Sequence, residues 1–259
     1  MGLGDTPTIL FYPNLGMLVE SAMGGNRTFR IGLLLPSSNT TMEPDFYRMA
    51  PGWVTIHTAR MRLDEVTPEG LVRMADDAEI AAELLATADV DVIVYGCTTG
   101  SLVGGVEWEE DLVRRTGERT GIPTISTSRA VVDALQALGG GRVGVATPYT
   151  EVLNRLEAEF LEAHGLEVAS IRGLGLLHNL DIGRTVGEVV EGLACEAAEG
   201  ADVIFISCTN LPAVGLIDKL EAKLSRPVVT SNQASLWAAL RDSGVKGIPG
   251  YGELLRDRL

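Results

Sequence analysis

Two of the three cysteines in this 259-residue chain stand in matching surroundings. The first ends the stretch Asp89-Val90-Asp91-Val92-Ile93-Val94-Tyr95-Gly96-Cys97 and is followed by Thr98-Thr99-Gly100-Ser101. The second ends Ala201-Asp202-Val203-Ile204-Phe205-Ile206-Ser207-Cys208 and is followed by Thr209-Asn210. In each, an acidic residue leads into a β-branched and aromatic run, the composition of a strand buried on both faces of a parallel sheet. The run stops at a small residue, Cys and Thr, and in an open parallel sheet ligands bind at the carboxyl ends of strands. The thiolate is the reactive form of cysteine, and backbone amides stabilise it. One thiol is thus placed to act as nucleophile or base while the other, protonated, acts as acid. Thr98, Thr99 and Thr209 set hydroxyls beside them for an anionic group. A strand-end cysteine is often no more than a small buried hydrophobe, but recurrence at equivalent points of two units argues against that here. Cys195, among Leu193, Ala194, Ala197 and Ala198, has no counterpart in the first half and is read as core. No histidine is placed as an obvious partner, which counts against a Cys–His protease-like arrangement.

Further candidates lie at other strand ends. Pro36-Ser37-Ser38-Asn39-Thr40-Thr41 offers the Ser38 hydroxyl, the Asn39 amide and turn amides, although such a run also caps helices. Thr147-Pro148-Tyr149 places a phenol at the corresponding point of the second half, and Asn179 lies in a turn-like Leu177-His178-Asn179-Leu180-Asp181. Gly96, Gly100, Gly104 and Gly105 do not form a nucleotide fingerprint, and there is no P-loop.

The elements that must hold these residues repeat. Phe29 to Leu35 reads as a buried strand, Pro44 to Met49 as the start of a helix and Val54 to Met61 as the next strand. Thr67-Pro68-Glu69 supplies an N-cap, a first-position proline and a first-turn acid, so one helix is expected from there to about Ala88. The Cys97 strand, a helix from Trp108 to Thr120, a strand at Ile122 to Ser126 and a helix from Ala130 to Leu138 follow. After Gly139-Gly140-Gly141 the layout begins again. A strand at Arg142, a helix from Glu151 to His164 and a strand from Val168 to Leu174 precede the Gly187 to Glu199 helix and the Cys208 strand. A helix from Pro212 to Leu224, a strand at Pro227 to Thr230 and a helix at Ala234 to Leu240 complete the second unit. The expectation is an α/β protein of two pseudo-symmetric parallel-sheet αβα lobes, with both thiols facing one cleft between them.

Composition bounds the function. Hydrophobic residues make up 46% and charged residues 22%, the balance of an ordinary globular protein. A net charge of −14 argues against a nucleic-acid or anionic-membrane surface. Three cysteines without a CxxC pair fit neither a disulfide framework nor a zinc site, and reduced thiols imply the cytoplasm. No run approaches the roughly 18 apolar residues of a membrane span. The apolar patch from Ile9 to Val19, broken by Pro13 and Gly16, lacks a basic leader, so residues 1–28 are read as an N-terminal extension.

Taken together, Ile31-Gly-Leu-Leu-Leu-Pro-Ser-Ser-Asn-Thr-Thr-Met-Glu43, Arg60-Met61-Arg62 through Val66-Thr67-Pro68-Glu69, Thr147-Pro148-Tyr149, Asn179 and Ser207-Cys208 resemble the maleate cis–trans isomerases of the aspartate/glutamate racemase superfamily. The resemblance runs from Phe29 to Pro249-Gly250-Tyr251-Gly252. It implies a cofactor-free fold, metal-free chemistry on a small carboxylate substrate, and a homodimer. The implied lobes are 29–128 with 231–259, carrying Cys97, and 129–230, carrying Cys208. It also implies that Cys97 adds as thiolate to the double bond of maleate, that Cys208 donates the proton, and that Asn39, Tyr149 and Asn179 hold the two carboxylates. Thr98-Thr99-Gly100-Ser101 departs from the aliphatic stretch of those isomerases. It is closer to the motif of amino-acid racemases and to the Thr-Ser pair of arylmalonate decarboxylases, which have glycine in place of Cys97. A two-thiol racemase, a decarboxylase and a dicarboxylate-binding protein without turnover are the alternatives.

Overall fold

The structure, a computed structural model, describes residues 28–241 and 243–259. Of the expected extension 1–28, all but Thr28 lies outside the described residues. Two four-stranded sheets form the framework. The first contains β1 (Phe29–Pro36), β2 (Val54–Met61), β3 (Val92–Tyr95) and β4 (Thr124–Ser126) in the order β2-β1-β3-β4. The second contains β5 (Arg142–Thr147), β6 (Glu167–Gly173), β7 (Val203–Ile206) and β8 (Val228–Thr230) in the order β6-β5-β7-β8. All pairings are parallel, and the two sheets have the same strand order, as an internal duplication requires.

The apolar runs explain why β3 and β7 are central: all four residues of each strand are buried, leaving no face for solvent. Register then fixes the thiols. Tyr95 pairs with Leu34 and Ile206 with Ala146 as the last partners along β3 and β7, and each cysteine comes two residues later.

Helices α1 (Met42–Met49), α2 (Pro68–Ala75), α3 (Ala78–Ala86), α4 (Thr98–Leu102), α5 (Gly105–Thr120) and α6 (Thr127–Ala137) accompany the first sheet in sequence. The second is accompanied by α7 (Glu151–Ala163), α8 (Asn179–Gly183), α9 (Gly187–Ala197), α10 (Ile217–Leu224), α11 (Ser231–Leu240) and α12 (Gly252–Asp257). The junction between sheets is made by α6 and α11, which pack on each other; α11 also touches β4, β8 and α1. Every residue of α11 is buried, and its start is fixed by a capping box of Thr230 and Gln233.

The single helix expected from Thr67 to Ala88 is two helices, α2 and α3, separated at Asp76 and Asp77. The Asp77 carboxylate accepts the Arg62 amide at 3.0 Å, so this residue serves the loop after β2 rather than the helix surface. The residues after Cys97 form the short helix α4, and the helix expected from Pro212 begins with a 3₁₀ turn at Val214–Leu216 before α10. No helix among the described residues is long and apolar enough to cross a membrane.

Candidate active site

Cys97 is the N-cap of α4. Its Sγ accepts the Gly100 amide at 3.4 Å and lies within reach of the Thr99 hydroxyl. A Cβ at position 100 would come 2.7 Å from Met74 Cε and 3.0 Å from the Cys97 sulfur, so glycine there lets α4 approach the thiol closely. Cys208 follows β7 with φ of 96°, a conformation costly for any residue but glycine and characteristic of functional sites. That backbone turns its Sγ toward the Asn210 amide, at 3.4 Å, and toward the Tyr149 phenol.

The loops that carry the thiols, one from each sheet, are joined by hydrogen bonds. Asn39 donates through Nδ2 to Thr209 Oγ1 at 3.0 Å, and Thr209 donates to the Gly96 carbonyl at 3.1 Å. Asn39 Oδ1 accepts the amides of Thr41 and Met42, fixing the loop after β1. Asn179, at the start of α8, donates to Ser38 Oγ at 2.9 Å, while Ser38 donates to the Leu63 carbonyl. Asn210 accepts the Thr40 amide at 2.8 Å and donates to the Asn179 carbonyl at 2.6 Å. Ser231 Oγ accepts both the Thr98 hydroxyl, at 2.9 Å, and the Cys208 amide, at 3.0 Å.

Burial governs the electrostatics. It pushes the Cys97 thiol up to about 12; the Gly100 amide and Thr99 hydroxyl pull it back, and the nearby Cys208 raises it further. Burial likewise pushes Cys208 up to about 11, against hydrogen bonds from Tyr149 and from the amides of Asn210 and Leu211, with Glu157 adding to the rise. Tyr149 is held well above its ordinary range by burial, and then by Cys208 and Glu157. Both buried thiols are therefore neutral at pH 7, each flanked by donors that favour its ionised form.

All nine residues singled out from the sequence, Ser38, Asn39, Cys97, Thr98, Thr99, Tyr149, Asn179, Cys208 and Thr209, fall in this connected region. Every one except Ser38 is buried. Five of them spend polar groups inside this network: Thr98 on Ser231, Thr209 between Asn39 and Gly96, Asn39 on Thr209 and on the Thr41 and Met42 amides, Asn179 on Ser38, and Ser38 on the Leu63 carbonyl. Cys195 is half-buried on α9, packed against the core. Sequence reading missed Asn210, Ser231, Ser207 and Glu157. The first two act through partners up to 170 positions away. Glu157 did leave a signal: with Leu153, Phe160 and Leu161 it lies on the buried stripe of α7, where a carboxylate is out of place.

The model of the family described as arylmalonate decarboxylase matches residues 31–255. The chain is 31% identical to a maleate isomerase of Pseudomonas putida over 88% of its own length and 97% of the relative's. It is 32% identical to an arylmalonate decarboxylase of Bordetella bronchiseptica over 93% and 96%. Among solved structures, a cysteine-to-serine variant of the Nocardia farcinica maleate cis–trans isomerase, carrying a covalently bound succinylcysteine intermediate, superposes with a TM-score of 0.84 at 30% identity, covering 88% of this chain and 98% of that one. The maleate isomerase Iso of Pseudomonas putida S16 superposes with the same TM-score at 30% identity, covering 89% and 99%. The chain is thus an isomerase-like enzyme that belongs to the arylmalonate decarboxylase family.

Proposed function

We propose that the protein is a cofactor-independent cis–trans isomerase of a small dicarboxylate, converting maleate to fumarate. The observation that carries this reading is the pairing of Cys97 and Cys208. Each comes two residues after the central strand of its sheet, and the two are close enough for the charge of one to raise the other. The burial of the lining, Asn39, Thr99, Tyr149 and Asn179 included, suits a compact four-carbon diacid better than a ring-bearing one.

In the proposed sequence the Cys97 thiolate attacks one alkene carbon, and the π electrons move onto the adjacent carbon and its carboxylate. Cys208 gives its proton to that carbon and becomes the thiolate. The former double bond is now single and rotates. Cys208 then takes a proton back from the same carbon, the alkene re-forms in the trans geometry, and the Cys97 thiolate leaves. No atom is gained or lost overall. Donors from Asn39, Asn179 and Tyr149 hold the carboxylates and stabilise the enolate-like charge, the interaction that lowers the barrier most. The reaction takes place between a lobe of 29–128 with 231–259 and a lobe of 129–230.

Decarboxylation is the second reading, favoured by the Thr98-Thr99 pair and the match to the Bordetella bronchiseptica decarboxylase. Proton NMR of the protein with maleate under reducing conditions tests the choice. A fumarate signal replacing that of maleate supports the isomerase. Unchanged maleate, with carbon dioxide released from an arylmalonate, supports the decarboxylase.

A further inference from the structure

Glu157 is a fully buried carboxylate that the proposed reaction does not use. It projects from the core-facing stripe of α7, and its Oε1 accepts the hydroxyl of Ser207, the residue immediately before Cys208. Its Oε2 has no hydrogen-bond partner among the described residues. Tyr149 and Cys208 both lie within its electrostatic reach. Among the described residues no cation is set against it: burial and then the Ser207 hydrogen bond govern its ionisation.

The elements around α7 supply no competing charge. The short helix α4 carries no titratable side chain. On α5, the buried Glu109 is held by Ser126 and answers to Arg129, Glu110 and His164 rather than to Glu157. On β6, Glu167 pairs with Arg142, and Arg172 is exposed. The ionisable groups facing Cys208 are therefore Cys97 from the first sheet, Tyr149 from the loop after β5, and Glu157.

We infer that Glu157 is a positioning residue for the second thiol: through Ser207 it fixes the turn that carries Cys208, and once ionised it opposes loss of the Cys208 proton. This biases the second thiol toward its protonated form, and it rests on the two-thiol reading above. Burial pushes Glu157 up to about 8, below the range in which Cys208 titrates, so the carboxylate is already negative when Cys208 would ionise. A negative neighbour at that moment opposes the second negative charge.

The test follows the pH dependence of iodoacetamide alkylation, by mass spectrometry, in protein with a single thiol. With Cys97→Ser and Cys195→Ala, only Cys208 remains. Adding Glu157→Gln, which keeps an acceptor for Ser207 and removes the charge, should move the Cys208 profile about one unit toward lower pH, or about tenfold faster alkylation at pH 9. Glu157→Met should give the same shift, should the glutamine variant not fold. With Cys208→Ser and Cys195→Ala, the Cys97 profile should not move, whereas a merely structural defect would disturb both. An unmoved Cys208 profile, or equal shifts at both thiols, overturns the inference. Because alkylation needs no substrate, an absence of maleate turnover would sink the isomerase reading while leaving this result intact.

Discussion

Thr98 donates its hydroxyl to Ser231 Oγ at 2.9 Å, and that same oxygen accepts the amide of Cys208 at 3.0 Å. One hydroxyl at the start of α11 thus ties together the two thiol-bearing loops, which come from different sheets. Removing it in Ser231→Ala leaves a buried amide and a buried hydroxyl short of a partner. Each should cost about 1–3 kcal/mol if unreplaced. The expected outcome is a lower melting temperature together with a fall in kcat of about tenfold, one 1.36 kcal/mol step in the barrier. A normal kcat in a destabilised variant would show that the bridge serves the fold alone.

Cys97→Ser and Cys208→Ser should each reduce turnover by about a thousandfold or more, because each removes a group that bonds to or protonates the substrate. Circular dichroism and gel filtration should stay as in the parent protein. Cys195→Ala, which alters a half-buried side chain on α9, should keep its activity. Near-normal rates in either of the first two variants would refute a two-thiol mechanism.

The pH dependence follows from the direction of the Cys97 shift. Its thiol is pushed up to about 12, so at neutral pH it lies far below its midpoint, and the thiolate fraction grows as pH rises. Over pH 6 to 8, log kcat/KM should climb with a slope near one, since each unit multiplies the reactive form about tenfold. A flat profile would indicate a nucleophile that is already ionised at pH 6.

Glu157 also makes a prediction about stability. Its pKa is raised from 4.5 to about 8 in the folded protein, so its contribution is fully present below 4.5 and is lost as pH rises through 8. Glu157→Gln does not titrate and escapes that loss. The variant should therefore be more stable than the parent at pH 7, by about 2–3 kcal/mol, with the gap shrinking toward pH 4. Urea unfolding at the two pH values measures it. A gap that does not change with pH would mean that the carboxylate is not desolvated.

Much of this was legible in the chain because it depends on local pattern. The runs Val92 to Tyr95 and Val203 to Ile206 carry apolar side chains on both faces, which only a covered parallel strand accommodates. Their repetition announced two sheets of the same order. The break between α2 and α3 was hidden because Asp76 and Asp77 sit acceptably on a helix surface, and the reason for the break is the distant Arg62 amide. The helix α4 was hidden because Thr98-Thr99-Gly100-Ser101 has poor helix propensity and is held by the Cys97 cap and the Ser101 hydroxyl. The thiols and their neighbours could be named from strand ends. Ser231 and Asn210 could not, since what they do exists only when the two sheets are brought together.

The central claim is that Cys97 forms a bond to the substrate and Cys208 then removes a proton to release it. Cys208→Ser should stall after addition: water can supply the proton that Cys208 otherwise gives to the second carbon, but the serine hydroxyl is too weak a base to take it back. The most direct measurement is intact-protein and peptide mass spectrometry of this variant after incubation with maleate. The account predicts a mass increase of one maleic acid, confined to the peptide containing Cys97 and absent when Cys97→Ser is added. Unmodified protein, or an adduct on Cys195, would contradict it.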